Sequence, residues 1–240
     1  YMTGNIYAAG EDVPQDDAKA LEMYRLAAAQ NDADAEYSLG NFYHYGRGVT
    51  QDDKQALDMY RESAQQGDES AQVALGLMYQ RGVAIDKDPA SAVDLFRKSA
   101  DQGCAIAQVL LGNAYANGEG VTQDYTTAID WYRKAAAKDN AMAQAALGTA
   151  YEAGEGVSQD YKQAFDWYLK AAEQDDVTGE VGLARLYTHG WGVIQDNSKA
   201  TAWDKRAKAP PSDETRVLDV CALPVKESGF AKFWHMISGP

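Results

Sequence analysis

Residues 147–172 read LGTAYEAGEGVSQDYKQAFDWYLKAA, and this stretch decides the fold because it recurs along the chain. Sliding the sequence along itself in steps of 36 brings Tyr151 onto Tyr7, Tyr43, Tyr79, Tyr115 and Tyr187. The same shift aligns Gly148 with Gly4, Gly40, Gly76 and Gly112, with Ala184 standing in the last unit, and Gly154 with Gly10, Gly46, Gly82, Gly118 and Gly190. Asp160 falls in a column with Asp16, Asp52, Asp88, Asp124 and Asp196; Ala164, four residues on, falls in one with Ala20, Ala56, Ala92, Ala128 and Ala200. Self-similarity at a period of 20–50 residues is the mark of a solenoid, propeller or array.

The type of unit follows from the spacing inside it. Ala35, Leu39, Phe42, Tyr43 and Gly46 share one side at 100° per residue, which predicts an amphipathic helix, helix A, of about three turns. An all-glycine column at Gly46 suits a left-handed residue just past a helix end, where a Cβ is unfavourable. A GxGV loop follows at Gly46–Val49, Gly118–Val121, Gly154–Val157 and Gly190–Val193, while the third unit reads Gly82, Val83, Ala84, Ile85. Each aspartate of the Asp52 column is placed to cap the next helix through its free N–H groups, with Gln55 and Gln163 at capping-box positions. Pro89 fits the first helical position after Asp88. Ala56, Leu57, Tyr60 and Ala64 again have helical spacing, which defines helix B. Asn31, Gly67, Gly103, Asp139 and Asp175, all residue types that tolerate the left-handed region, share the column after helix B.

The combination LGxxY, GxG, V, D, A and WYxKAA (Leu147–Tyr151, Gly154–Val157, Asp160, Ala164, Trp167–Ala172) resembles the Sel-one-like repeat family, over roughly residues 1–209. The related tetratricopeptide repeat, with a period of about 34 residues, fits less well. The resemblance implies an all-α, right-handed α/α solenoid of about six 36-residue helix-turn-helix repeats, with the A helices lining a concave face. It also implies a non-enzymatic scaffold or adaptor that binds a protein segment. Stacking is independently required, because a lone hairpin cannot bury its apolar side.

The expected domain organisation is a solenoid over 1–209, its first repeat truncated at the start, and a C-terminal cap and tail over 210–240. Pro210 and Pro211 break the pattern, and Ser212 to Leu223, with Val217, Leu218 and Val220, reads as a capping helix. Phe230, Phe233, Trp234 and Ile237 are helically spaced and are expected to cover the last repeat rather than to serve as a docking peptide. The chain opens at Tyr1 inside a pattern unit, so an upstream segment, a signal peptide among the candidates, is expected. The family resemblance favours a periplasmic or secreted location; the residues themselves leave the compartment open.

Composition narrows the partners. The 240 residues are 45% hydrophobic, with 22 Lys plus Arg against 36 Asp plus Glu. A net charge of −14 repels a phosphate backbone, so nucleic acid is not an expected partner. No apolar run approaches the ~20 residues that span a bilayer. Cys104 and Cys221 form neither a disulfide framework nor a metal-ligand spacing, and a bond between them would require the tail to fold back. There is no GxSxG, HExxH, P-loop or dinucleotide fingerprint, and no cofactor, metal or catalytic residue is expected. Paired acids such as Asp52 and Asp53 mark helix starts. The Trp131/Tyr132 and Trp167/Tyr168 pairs repeat on helix B and are expected to pack rather than to bind sugars or bases.

A partner should bind where the columns stop agreeing. Columns 37, 41, 44 and 45 vary and lie opposite the core stripe of helix A on a helical wheel, so across repeats they are expected to form a groove. It comprises Tyr37, Asn41, His44 and Tyr45, then Val73, Leu77, Gln80 and Arg81, then Asn113 and Asn117, and finally Thr149, Arg185 and His189. Mixed aromatic, amide and arginine side chains suit a protein partner better than a small molecule. Two other readings are an immunity protein that neutralises a secreted toxin, such as a type VI lipase-like effector, and a cell-wall-related hydrolase or peptidoglycan binder. The missing catalytic constellation ranks the last of these lowest.

Overall fold

The computed structural model describes residues 1–10, 13–209 and 221. Among these residues the secondary structure is twelve helices and no strand. The A helices are α1 (Met2–Ala9), α3 (Ala33–Tyr45), α5 (Glu69–Arg81), α7 (Ala105–Asn117), α9 (Ala141–Ala153) and α11 (Val177–His189). The B helices are α2 (Asp17–Ala28), α4 (Asp53–Gln65), α6 (Pro89–Gln102), α8 (Tyr125–Ala136), α10 (Tyr161–Glu173) and α12 (Asn197–Ala207). This is the all-α, six-hairpin architecture that the period predicts.

The aspartate column starts every B helix. Asp52 Oδ1 accepts from the backbone N–H of Lys54 and Gln55 at 3.0 and 3.1 Å, and Asp160 does the same with Lys162 and Gln163 at 2.9 and 3.0 Å. Side chains reinforce the caps: Gln55, Ser91 and Thr127 donate to Asp52, Asp88 and Asp124 at 2.8, 2.6 and 2.6 Å. Those side-chain bonds, followed by the backbone ones, hold the three carboxyls below the usual aspartate range. The A helices carry a second set of caps: Asp32, Asp68, Asn140 and Asp176 accept from the backbone of Ala35, Ala71, Ala143 and Gly179. In the fourth repeat Cys104 occupies this column. Neither cysteine is a free thiol.

The two glycine columns serve different ends. Gly46 and Gly154 stop their helices at φ 65° and 77°, as their place in the pattern predicts. The Gly112 column lies inside helix A and answers to close approach instead. A Cβ on Gly112 would lie 2.5 Å from the Tyr132 ring, and one on Gly4 would lie 2.6 Å from the Tyr24 ring. Each B helix thus drives one aromatic side chain (Tyr24, Tyr60, Phe96, Tyr132, Tyr168) against a bare patch of A-helix backbone, and all five are buried. The second glycine of the GxG loop rests on the preceding hairpin: Cβ positions on Gly156 and Gly192 would meet the backbone of Tyr125 and Tyr161 at 2.6 Å.

The chain forms two compact units, Tyr1–Ala107 and Gln108–Pro240, with the division inside α7. In the first, each helix from α1 to α6 packs on its neighbour in sequence; in the second, α8 to α12 do the same, and α11 also touches α9. The expected cap over Ser212–Leu223 and the aromatic tail at Phe230, Phe233, Trp234 and Ile237 lie outside the described residues, Cys221 apart.

Candidate protein-interaction surfaces

The four variable columns do not share one environment. In the first unit column 37 belongs to the core: Tyr37 and Val73 are 3% and 0% exposed, and the Tyr37 ring packs on Tyr60 at 5.9 Å between centroids. This corrects the expectation that the column opposes the core stripe. A solenoid helix packs against its own B helix and against an adjacent hairpin, so its buried arc is wider than one stripe.

Column 41 is also spent internally. Tyr60 Oη donates to Asn41 Oδ1 at 2.8 Å, Tyr132 Oη to Asn113 Oδ1 at 2.7 Å, and Tyr24 Oη to Asn5 Oδ1 at 2.7 Å. In the fifth repeat the Tyr168 hydroxyl donates to Glu152 Oε2 at 2.7 Å, with Thr149 Oγ1, in the column-41 position, a longer acceptor at 3.2 Å. In the third, helix B carries Phe96, which has no hydroxyl, and the column residue is the buried Leu77. The acceptor is present where the donor is and absent where it is absent. Asn41, Leu77, Asn113 and Thr149 therefore vary with their hairpin partner, which corrects their assignment as free groove residues.

Columns 44 and 45 lie on the last turn of helix A and retain accessible side chains. In the first unit, His44 Nδ1 and Asp53 Oδ1 are 2.6 Å apart and the His44 ring meets Tyr45 edge-on at 4.7 Å. Tyr45 is half-buried; burial pushes its phenol well above the ordinary tyrosine range, and Arg81 opposes that push. Burial likewise lowers the Arg81 guanidinium from its usual value, with Tyr45 acting in the other direction. Gln80 stands beside Arg81 in sequence at the end of α5 with similar partial exposure. The result is a tyrosine and an arginine, each partly desolvated, on neighbouring A-helix ends.

In the second unit, Asn117 is exposed. His189 stacks on Trp191 at 4.4 Å, and Trp191 stacks on Tyr161 of the preceding hairpin at 5.1 Å. Arg185 turns back to the fifth repeat, where its Nε donates to Glu152 Oε1 at 2.6 Å and its Nη2 reaches the Tyr168 hydroxyl at 3.3 Å. Trp131 and Trp167 are half-buried, with Lys134 and Lys170 over their rings at 3.6 and 4.3 Å.

A groove of about 520 Å³ runs between α11 and α12, lined by Val181, Ala184, Thr188, Ala200, Thr201 and Asp204 among others. Its signal was in the columns: at the last repeat the glycine becomes Ala184 and the aromatic becomes Asp204, so both members of the A–B contact are exchanged together. Among the described residues, no cluster of three or more His, Cys, Asp or Glu is arranged to hold a metal, and no helix is long and apolar enough to cross a membrane.

Comparison with known proteins places this geometry. The Sel1 repeat model matches residues 1–32, 33–68, 69–104, 105–140, 141–176 and 179–208. The chain is similar to a Sel1 repeat protein from Oxalobacter formigenes, with 32% identity, coverage of 86% of this chain and 85% of that one, and a TM-score of 0.81. It is also similar to a protective antigen of uropathogenic Escherichia coli strains that displays the same repeat fold, with 37% identity, coverage of 86% and 44%, and a TM-score of 0.78; the chain spans less than half of that protein's length. An immunity protein from Pseudomonas aeruginosa, 22% identical over 85% of this chain and 79% of its own, has a TM-score of 0.56, a likeness of fold alone. No curated protein matches the chain. With six consecutive matches running from residue 1 to residue 208, the chain belongs to the Sel1 repeat family.

Proposed function

We propose that the chain is a non-enzymatic scaffold that captures a segment of another protein on the A-helix ends of its first unit, at His44, Tyr45, Gln80 and Arg81. Sel1 repeats typically serve protein–protein interaction and are generally non-enzymatic. The observation that carries the assignment to this surface is the pairing of half-buried Tyr45 with Arg81. Tyrosine and arginine are the side chains most enriched at binding hot spots, and a partly desolvated site makes their contacts stronger. Rigid helix ends also present the side chains at little ordering cost on binding.

The test is affinity capture from the native host with the full chain and with Tyr45→Ala plus Arg81→Ala, quantified by mass spectrometry. A specific partner should be enriched by the parent chain and depleted at least tenfold by the double variant, whose thermal unfolding should stay within a few degrees of the parent. A partner retained equally by both would place the binding surface elsewhere. The immunity-protein reading has only the fold likeness behind it, and nothing in the geometry favours it.

A further inference from the structure

We propose that the bond between Cys104 and Cys221 is a redox switch, opened by a low-molecular-weight thiol that attacks Cys221 and expels Cys104 as a thiolate at the start of α7. This proposal is independent of the partner surface at Tyr45 and Arg81.

Cys104 and Cys221 are the only cysteines of the chain, and both are disulfide-bonded, so the bond joins them to each other. The place of Cys104 in the repeat sets this bond apart from an inert staple. Asp32, Asp68, Asn140 and Asp176 hold the same column, immediately before an A helix. Each accepts from the backbone N–H three residues on, at 2.9, 2.6, 3.0 and 2.7 Å. Cys104 stands immediately before Ala105, the first residue of the 13-residue α7. Its backbone N–H donates to the Ser99 carbonyl at 3.2 Å, as that of Asp68 does to the Ser63 carbonyl at 3.3 Å, so the chain enters both helices in the same way.

Sulfur thus stands at a place that α3, α5 and α11 give to a carboxylate. The free N–H groups and the positive end of the helix dipole favour an anion there. A neutral disulfide sulfur gains little from them. A thiolate gains much, which is why cysteines at helix starts ionise readily.

Exposure decides which sulfur is attacked. Cys104 is 2% exposed, whereas Cys221 is half-buried, so an incoming thiolate reaches the Cys221 sulfur. A bond forms from the attacking sulfur to Cys221 Sγ as the Cys104–Cys221 bond breaks, and the electron pair of the broken bond leaves on Cys104 Sγ. The low basicity of a thiolate held at a helix start makes it the better leaving group. A second small thiol then attacks the mixed disulfide and releases Cys221. Two small thiols are oxidised to one disulfide, and their two electrons and two protons pass to the cysteines. In the opened state Cys104 takes up the capping role of its column, so α7 keeps its start while residue 221 is released. An oxidising compartment keeps the bond closed, and a glutathione-buffered one opens it.

The experiment incubates the oxidised full chain with reduced glutathione, traps samples with N-ethylmaleimide at intervals and maps both cysteines by mass spectrometry. The expected course is a transient glutathione adduct on Cys221 with Cys104 alkylated, followed by two free thiols, with amide exchange in α7 little changed. Ala105→Glu copies Glu69, its equivalent in α5, and adds a negative charge to the first turn of α7. It should slow the first step severalfold without moving the unfolding temperature. An adduct on Cys104 in place of Cys221, a rate indifferent to Ala105→Glu, or melting of α7 on reduction would each overturn the proposal. A bond that survives glutathione until the chain unfolds would make it a permanent staple and overturn the proposal equally.

Discussion

Removing the Asn41–Tyr60 hydrogen bond one side at a time should cost far more than removing both sides together. Tyr60 is 3% exposed and its hydroxyl donates to Asn41 Oδ1 at 2.8 Å. Burial raises its phenol well above the ordinary range, so it is a neutral donor at neutral pH. Asn41→Leu strands this donor where water has little access, at a cost of about 1–3 kcal/mol. Tyr60→Phe strands only the half-exposed Asn41 amide, which water can still reach, at about 0.5–1.5 kcal/mol. The double variant recreates what the third repeat already uses, Leu77 on helix A with Phe96 on helix B. Replacing both partners by apolar groups of similar shape should be nearly neutral. The singles then sum to roughly 3 kcal/mol and the double to less than 1, a coupling of about 2 kcal/mol. Urea unfolding of the four chains at matched slope measures it. Additive singles, or a double variant as unstable as Asn41→Leu alone, would show that column 41 is not held by its hairpin partner.

Two further outcomes follow from the backbone and the buried carboxyls of the repeats. Gly154→Val places a β-branched side chain at φ 77° and sets its Cβ 3.3 Å from Gln159; it should lower stability by more than about 1 kcal/mol in thermal unfolding, and an unchanged midpoint would show that the glycine does not act as the helix stop. Glu36, whose carboxyl is raised above the usual range by burial and then by Glu62, stands in a column otherwise occupied by Gln72, Gln108, Gln144 and Glu180. A carboxyl raised in the folded state binds its proton more tightly there than in the unfolded chain, so its charged form weakens the fold above the unfolded pKa, near 4.5. Glu36→Gln should therefore stabilise the chain at neutral pH, retain the bond that Gln66 donates at 2.6 Å, and lose its advantage as pH falls below that value. An equal gain at every pH would remove titration as the cause.

What the sequence disclosed was whatever each repeat must do alike. Helix starts at the aspartate column, stops at Gly46 and its equivalents, and the left-handed turn residues Asn31, Asp139 and Asp175 at φ 58°, 61° and 65° all appear where the pattern places them. These are local demands on the backbone, and local demands repeat with the period. The groove columns were harder because variability has two physical origins that look alike in one chain: freedom, and compensation between positions. Leu77 departs from Asn41 and Asn113 where Phe96 departs from Tyr60 and Tyr132, and the exchange is visible only when helix A is compared with helix B of the same hairpin, 19 residues on. Tyr37 and Val73 were misplaced for a separate reason: a wheel drawn for one helix records one buried face, whereas a stacked helix buries two. The same pairwise comparison that removes column 41 from the partner surface marks the α11/α12 groove, since Ala184 and Asp204 break the glycine–aromatic rule together. A repeat protein's function is then sought first at varying positions that keep accessible area on a rigid helix end, as the half-buried Tyr45 and Arg81 do.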